Sequence, residues 1–170
     1  MNKPTTYGDQ NRFAIEVVAV AADRQFGEVY IYISGERVSA GNPVYLSTFI
    51  GEMKGFGVTH QTRPPLDIAT LGLTDQELFE SLHRAMESGT SVGGFSPENV
   101  WNYHCLQNID DAVDGWEIYV VDNDNAKKFL WRGRSTRTCP PEHLNKVWSM
   151  QIPREEFLRV INDFVESMEK

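Results

Sequence analysis

The stretch of sequence that decides the fold lies at residues 116–133 and reads Trp-Glu-Ile-Tyr-Val-Val-Asp-Asn-Asp-Asn-Ala-Lys-Lys-Phe-Leu-Trp-Arg-Gly. Two runs rich in β-branched and aromatic side chains flank residues 123–126, which read Asn-Asp-Asn-Ala. Asn and Asp favour turns because they tolerate left-handed backbone conformations. The pattern therefore predicts an antiparallel hairpin in which strand 116–122 pairs with strand 127–133.

The length of this loop also predicts which residues face each other. The expected pairs are Ile118 with Trp131, Val120 with Phe129, and Glu117 with Arg132. The first two pairs share one face of the hairpin, and the third pair lies on the other face. One face is then apolar and the other mixed, as in an antiparallel sheet that is buried on one side.

The N-terminal part of the chain predicts two further strands, at Phe13–Val20 and at Glu28–Ile33, where aromatic and β-branched residues alternate. Residues 45–54 favour a short helix, because apolar side chains recur there at helical spacing, while three nearby glycines argue against a long one. Residues 59–73 contain two adjacent prolines and are expected to form a loop.

The clearest helix is Thr74–Ser88, which has a capping box at Thr74 and Glu77 and a glycine directly after it. Further on, the pattern predicts strands at Val100–Leu106 and Val147–Ile152 and a closing helix at Pro153–Met168. We therefore expect a single α+β domain over residues 1–170. It consists mainly of an antiparallel β-sheet, with two main helices packed on one face.

Composition favours a cytoplasmic protein. No apolar run approaches the roughly 18 residues that a membrane helix needs, and the N-terminus lacks the apolar stretch of a secretory signal. Cys105 and Cys139 are the only cysteines, too few for a disulfide framework. We expect cytoplasmic localisation and no membrane partner; the oligomeric state stays open.

The charge of the chain is unevenly distributed. Its net charge is −8, yet residues 74–126 carry eleven acidic groups against Arg84 alone, a net charge of −10. Residues 127–146 carry six basic groups against Glu142, a net charge of +5. An acidic field of this kind repels nucleic acid and attracts basic partners.

The sequence offers few residues for metal or enzyme chemistry. Adjacent strand residues point to opposite faces, so His104 and Cys105 are not expected to share an ion, and the pair Cys139 and His143 needs two more ligands. No nucleophile elbow or phosphate-binding glycine motif is present. We expect no metal, no cofactor and no enzymatic activity. A small hydrolase that uses Cys139 and His143 is the enzymatic alternative.

Residues 127–134 mix basic and aromatic side chains, a composition typical of surfaces that bind single-stranded nucleic acid. The predicted register, however, sends Phe129 and Trp131 to the apolar face, away from Lys128 and Arg132. This segment is therefore interpreted as a core strand with a solvated rim, and no nucleic-acid partner is expected.

An acidic cluster is the strongest candidate for a partner-binding site. Six carboxylates lie within fifteen residues without a lysine or arginine among them: Asp110, Asp111, Asp114, Glu117, Asp122 and Asp124. Loop and turn positions allow these side chains to reach a partner, and a basic protein is the partner that such a cluster selects. A solvated loop without a partner is the alternative.

Four segments of the chain resemble immunity proteins of bacterial polymorphic-toxin systems, family 42. The resemblance begins with Tyr7-Gly8-Asp9-Gln10-Asn11-Arg12-Phe13-Ala14-Ile15 and continues in the aromatic strand and turn of residues 26–35. Leu130-Trp131-Arg132-Gly133 and residues 152–157 are compatible with the same pattern. These segments consist mostly of core and turn residues and together span 29 of the 170 residues.

The resemblance implies a cytosolic α+β antidote that binds and blocks the C-terminal domain of a cognate toxin. It implies no catalytic residues, and it assigns no contact residues. Contact-dependent growth inhibition or type VI secretion is expected to deliver such a toxin, and the charge suggests a basic nuclease as the toxin. An acidic interaction adaptor without a toxin partner stays open, because it needs the same kind of surface.

Overall fold

The computed structural model describes residues 4–22, 25–39, 43–62, 71–106, 113, 115–134 and 139–170. Its strands are β1 (Thr5–Gly8), β2 (Phe13–Val20), β3 (Phe26–Ile33), β4 (Glu36–Arg37), β5 (Pro43–Tyr45), β6 (Trp116–Asn123), β7 (Ala126–Gly133) and β8 (Trp148–Pro153). Its α-helices are α1 (Leu46–Thr62), α2 (Asp75–Ser88), α3 (Pro97–Asn99) and α4 (Arg154–Met168). A π-helix at Val100–His104 and a 3-10 helix at Pro141–His143 complete the described elements.

Strands β1 to β5 form an antiparallel sheet, which we call the N-terminal sheet. Its order is β1-β2-β3-β4, and β5 pairs with β3 at the end opposite β4. The predicted strand Phe13–Val20 is confirmed, and its partner begins at Phe26 rather than Glu28. The two strands pair antiparallel, with Ile15 opposite Ile31.

Strands β6, β7 and β8 form a second antiparallel sheet, the C-terminal sheet, which is built on the predicted hairpin. The predicted register is confirmed: Ile118 faces Trp131, Val120 faces Phe129, and Glu117 faces Arg132. The last predicted strand is also present, as β8. Local alternation and the turn between the strands were therefore sufficient to define this pairing.

The C-terminal sheet is buried on both faces. One face packs in the main core with the N-terminal sheet, α1 and α4, where Phe13 contacts Phe129 with ring centroids 5.2 Å apart. The other face, through Tyr119, Val121 and Leu130, packs with α2 in a second cluster. The α+β class is thus confirmed, but the described strands form two sheets rather than one. The near-continuous apolar run of β6 fits a strand covered on both sides.

Helix α1 is longer than predicted, because it continues through all three glycines to Thr62. The first residues of the predicted loop 59–73 are its last turn, and residues 63–70 lie outside the described part. Close packing explains why one of these positions, Gly57, is a glycine, since a Cβ there would lie 2.9 Å from Ile161 Cγ2 of α4. Packing against α4 outweighs the low helix propensity of glycine.

Helices α2 and α4 follow the predicted signals. The Thr74 hydroxyl accepts a hydrogen bond from the Glu77 amide, the Glu77 carboxylate accepts one from the Thr74 amide, and Gly89 ends the helix in a left-handed conformation with φ of 63°. Pro153 occupies the N-cap position of α4 without a side-chain hydrogen bond, and α4 buries an apolar stripe in the main core. Among the residues that the structure describes, no helix is long and apolar enough to cross a membrane.

The strand predicted at Val100–Leu106 is wrong, because Val100–His104 forms a π-helix. The start signal lies just before it: the Ser96 hydroxyl accepts a hydrogen bond from the Asn99 amide, and Pro97 occupies the first turn of α3. A capping serine followed by proline favours a helix start. The apolar run alone predicts a strand, whereas the capping signal before it indicates a helix.

Candidate functional site

The predicted acidic cluster does not form one surface in the described part of the chain. Asp110, Asp111 and Asp114 lie outside the described residues. Glu117 and Asp122 are both 8% exposed and lie on opposite faces of β6, whereas Asp124 is exposed in the β6–β7 turn with φ of 53°. The alternation of side chains along a strand separates the first two.

Glu117 connects the C-terminal sheet to helix α2. Its carboxylate accepts hydrogen bonds from Arg132, with Nε at 2.9 Å, and lies 3.6 Å from His83 Nδ1. Arg132 also donates to Glu80, at 2.9 Å, and its guanidinium lies 4.7 Å from the Phe79 ring centroid. This network holds α2 against the sheet, so the Glu117 carboxylate acts within the fold.

Asp122 faces the main core and forms an ion pair with Lys127, whose side chain is completely buried. Lys127 also donates a hydrogen bond from Nζ to His60 Nδ1, at 2.9 Å. Arg154 donates to the His60 carbonyl oxygen at 2.7 Å. The cluster ties the end of α1 to the hairpin and to the start of α4.

The electrostatics of this cluster are dominated by burial. Burial lowers the pKa of His60 well below its ordinary value, and the positive charge of Lys127 adds to the effect. Burial also lowers the pKa of Lys127, against the opposing effect of Asp122. A neutral His60 is therefore the form that accepts the Lys127 hydrogen bond through Nδ1.

The residues of the enzymatic alternative are buried. Cys139 is 6% exposed and His143 is 4% exposed. The His143 ring packs between Trp116 and Trp148, with centroid distances of 5.2 Å and 5.0 Å. An opening of the fold would be required before a substrate could reach either side chain.

The expectation that His104 and Cys105 do not share a metal ion assumes a strand at these residues. That assumption is wrong, because Val100–His104 forms a π-helix. His104 is buried, and its Nδ1 donates a hydrogen bond to the Val120 carbonyl oxygen at 2.9 Å, so this ring nitrogen is satisfied inside the fold. Over the described residues, no group of three or more His, Cys, Asp or Glu side chains is arranged to hold a metal ion.

A surface that the sequence interpretation missed lies on the outer side of the N-terminal sheet. We call it the tyrosine face, and it comprises Glu16, Phe26, Glu28, Tyr30, Tyr32 and Tyr45. Strand alternation puts Val29, Ile31 and Ile33 into the core and leaves the aromatic residues of β3 on the outer side. The alternation of aromatic and β-branched residues is visible in the sequence, but it does not predict which of the two sets is buried.

Hydrogen bonds order the tyrosine face. The Tyr32 hydroxyl donates to Glu16 Oε2 at 2.9 Å, and the Tyr30 hydroxyl donates to Glu28. The bond to Glu28 raises the pKa of Tyr30, and burial together with the bond to Glu16 raises the pKa of Tyr32. Both hydroxyls therefore stay protonated donors at neutral pH.

Comparison with known proteins gives the class to which this fold belongs. Residues 5–167 match the sequence profile described as immunity protein 42. The match spans nearly the whole chain, and the protein belongs to the immunity protein 42 family, which confirms the resemblance seen in the sequence. Its function is accordingly that of an immunity protein, which neutralises a toxin.

A solved structure shares the fold. The chain is similar to the crystal structure of CdiI from Burkholderia dolosa AUO158, with a TM-score of 0.65 and 17% sequence identity. The similarity covers 96% of this chain and 99% of that chain. No curated protein matches the sequence at a significant level.

Proposed function

We propose that this protein binds the C-terminal domain of a cognate toxin in the cytoplasm and blocks it by occlusion, without enzymatic chemistry. Membership of the immunity protein 42 family carries the proposal. The adaptor alternative lacks such support, because the matching family is described as immunity protein 42. The proposed target is a basic nuclease domain, whose nucleic-acid cleft an acidic protein can cover.

Charge supports a basic target. With a net charge of −8, the protein attracts a cationic surface at long range and so raises the association rate. The candidate contacts in segment 110–124 are now the exposed Asp124 together with Asp110, Asp111 and Asp114. Glu117 and Asp122 are paired inside the fold and serve the site by holding the hairpin that carries Asp124.

A protection assay tests the proposal. The candidate toxin domain is to be sought in the neighbouring reading frame, and cells that express it are expected to survive only when this protein is co-expressed. The purified protein is expected to bind the purified toxin domain and to inhibit its nuclease activity. If the pair does not bind, or the toxin acts normally in the complex, then the proposal is wrong.

A second experiment addresses the enzymatic alternative. Cys139→Ser and His143→Gln remove the thiol and the imidazole while leaving polar side chains of similar size. We expect the double variant to protect cells as well as the wild type, provided that its thermal unfolding shows a folded protein. Loss of protection in a folded double variant that still binds the toxin would favour the hydrolase.

A further inference from the structure

We infer that the tyrosine face is the surface that contacts the toxin, and that its occupant is a lysine- or arginine-rich patch of the toxin domain. The inference rests on the proposed function, because it identifies the surface through which the protein would bind the toxin. Segment 110–124 then contributes long-range attraction, whereas the tyrosine face contributes the short-range contacts that keep the complex together.

The first support is that the described part of the chain leaves the outermost aromatic side chains of this face exposed. The strand residues of the main core cluster, such as Phe13, Ile15 and Val29, lie on the inner side of the N-terminal sheet, whereas on the outer side Ala14 is buried opposite Tyr32. Over the residues that the structure describes, none of the four aromatic side chains of the tyrosine face belongs to either core cluster. Phe26 and Tyr45 are each 47% exposed and form an edge-to-face pair with ring centroids 5.5 Å apart.

The second support is the type of side chain. Tyrosine and other aromatic residues are enriched at the energetically important positions of protein interfaces, because they offer large area at low entropic cost. Tyr30 and Tyr32 are already held by their bonds to Glu28 and Glu16. A partner would therefore meet an ordered surface and would lose little affinity to ordering side chains.

The third support is charge complementarity. Other carboxylates of the hairpin region, such as Glu117 and Asp122, are paired with basic side chains. Glu16 instead accepts hydrogen bonds from neutral groups, Tyr32, Thr6 and Gln10, and within the described part of the chain neither it nor Glu28 forms an ion pair. Their negative charge is thus available to a cationic partner. The same charge repels the phosphate backbone of a nucleic acid, which argues against nucleic acid as the occupant.

One cation lies on the same face and limits where the partner's charges fit. The Arg37 guanidinium lies 4.7 Å from the Tyr30 ring centroid. A basic partner is therefore expected to place its cations near Glu16, between β1 and β3, with aliphatic stems across the tyrosine rings. The Phe26–Tyr45 pair at the far end offers an apolar contact.

The binding experiment uses the full-length protein and an inactive cognate toxin domain, with association and dissociation rates measured at low and high salt. The charge variant Glu16→Gln with Glu28→Gln keeps hydrogen-bond acceptors for the tyrosines. The aromatic variant Phe26→Ser with Tyr45→Ser changes the two most exposed rings. Each variant is expected to weaken binding by about 30-fold or more. The aromatic variant is expected to do so mainly by dissociating faster.

Matched control variants remove carboxylate charges or an aromatic ring at positions outside the tyrosine face. Glu52→Gln with Glu166→Gln removes two exposed charges from α1 and α4, and Trp101→Ser removes an aromatic ring that is 46% exposed. These controls are expected to bind within about threefold of the wild type. Asp110→Asn with Asp111→Asn and Asp114→Asn is expected to slow association and flatten its salt dependence, without changing the dissociation rate.

The outcomes separate this inference from the proposed function. If the wild type binds and protects while both tyrosine-face variants, shown folded by thermal unfolding, bind equally well, the inference is wrong and the proposed function stands. Loss of binding in Trp101→Ser alone would likewise place the interface elsewhere. A wild-type dimer that Phe26→Ser with Tyr45→Ser dissociates would assign the face to a second copy. A wild type that does not bind the toxin overturns both.

Discussion

Lys127 and Asp122 face each other across β6 and β7 and form an ion pair inside the main core. His60 adds a neutral acceptor for the same ammonium group at 2.9 Å. Both residues lie at the turn end of the hairpin, a position that suggests exposure, yet their side chains point to the face of the sheet that packs in the main core. Asp122, which the sequence places in the candidate partner-binding cluster, is thus 8% exposed and contributes to the fold through this pair.

Removing one member of this pair should be costly. Asp122→Ala leaves the Lys127 ammonium buried without its counter-charge, and we expect a loss of about 3–5 kcal/mol in the free energy of unfolding. The double variant Asp122→Leu with Lys127→Met should recover much of that loss, because no buried charge remains. Denaturant unfolding of the single and double variants measures the coupling. Equal losses in all of them would contradict the ion-pair interpretation.

The glycines of α1 offer a matched test of helix packing. A Cβ at Gly51 or Gly55 meets nothing within 4 Å, so alanine at either position should stabilise the protein by about 0.5–1 kcal/mol. At Gly57 the added methyl group would approach Ile161 at 2.9 Å, and alanine there should destabilise. Thermal unfolding of the three single variants gives the order. A stabilising Gly57→Ala would mean that α1 and α4 separate easily.

Trp131 tests the register of the hairpin. It is 2% exposed, and truncation by Trp131→Ala should cost about 3–5 kcal/mol. Its indole Nε1 has no hydrogen-bond partner within the described residues, so Trp131→Phe should cost clearly less. Lys128→Ala, on the opposite face, is the comparison for a partly exposed neighbour. Similar losses for phenylalanine and alanine at position 131 would contradict packing as the main contribution.

Two buried histidines make stability depend on pH. Burial lowers the pKa of His60 and His104 in the folded protein, so below the ordinary histidine pKa of about 6.5 the unfolded chain binds protons that the folded protein does not. The free energy of unfolding should therefore fall as the pH drops from about 7 to 5, by up to about 1.4 kcal/mol per pH unit for each histidine. His60→Gln should reduce this slope, as denaturant titrations at several pH values would show. An unchanged slope would rule out His60 as a source.

The sequence by itself determined the local pairings of this protein. The hairpin register, the capping box of α2 and the closing helix all depend on residues that are close in the chain, and each was confirmed. The family resemblance also came from local segments, chiefly the strand and turn residues of β2 and β3.

Tertiary structure decided which face of each element is buried. Alternation separates Phe26, Glu28, Tyr30 and Tyr32 from the β-branched residues of β3, but only the packing of α1 and α4 on the inner side leaves the aromatic set outside. Contact with Ile161 likewise explains why a glycine at position 57 suits a long helix. Burial energies depend on surfaces that meet across the fold, and a single segment contains only one of the two surfaces.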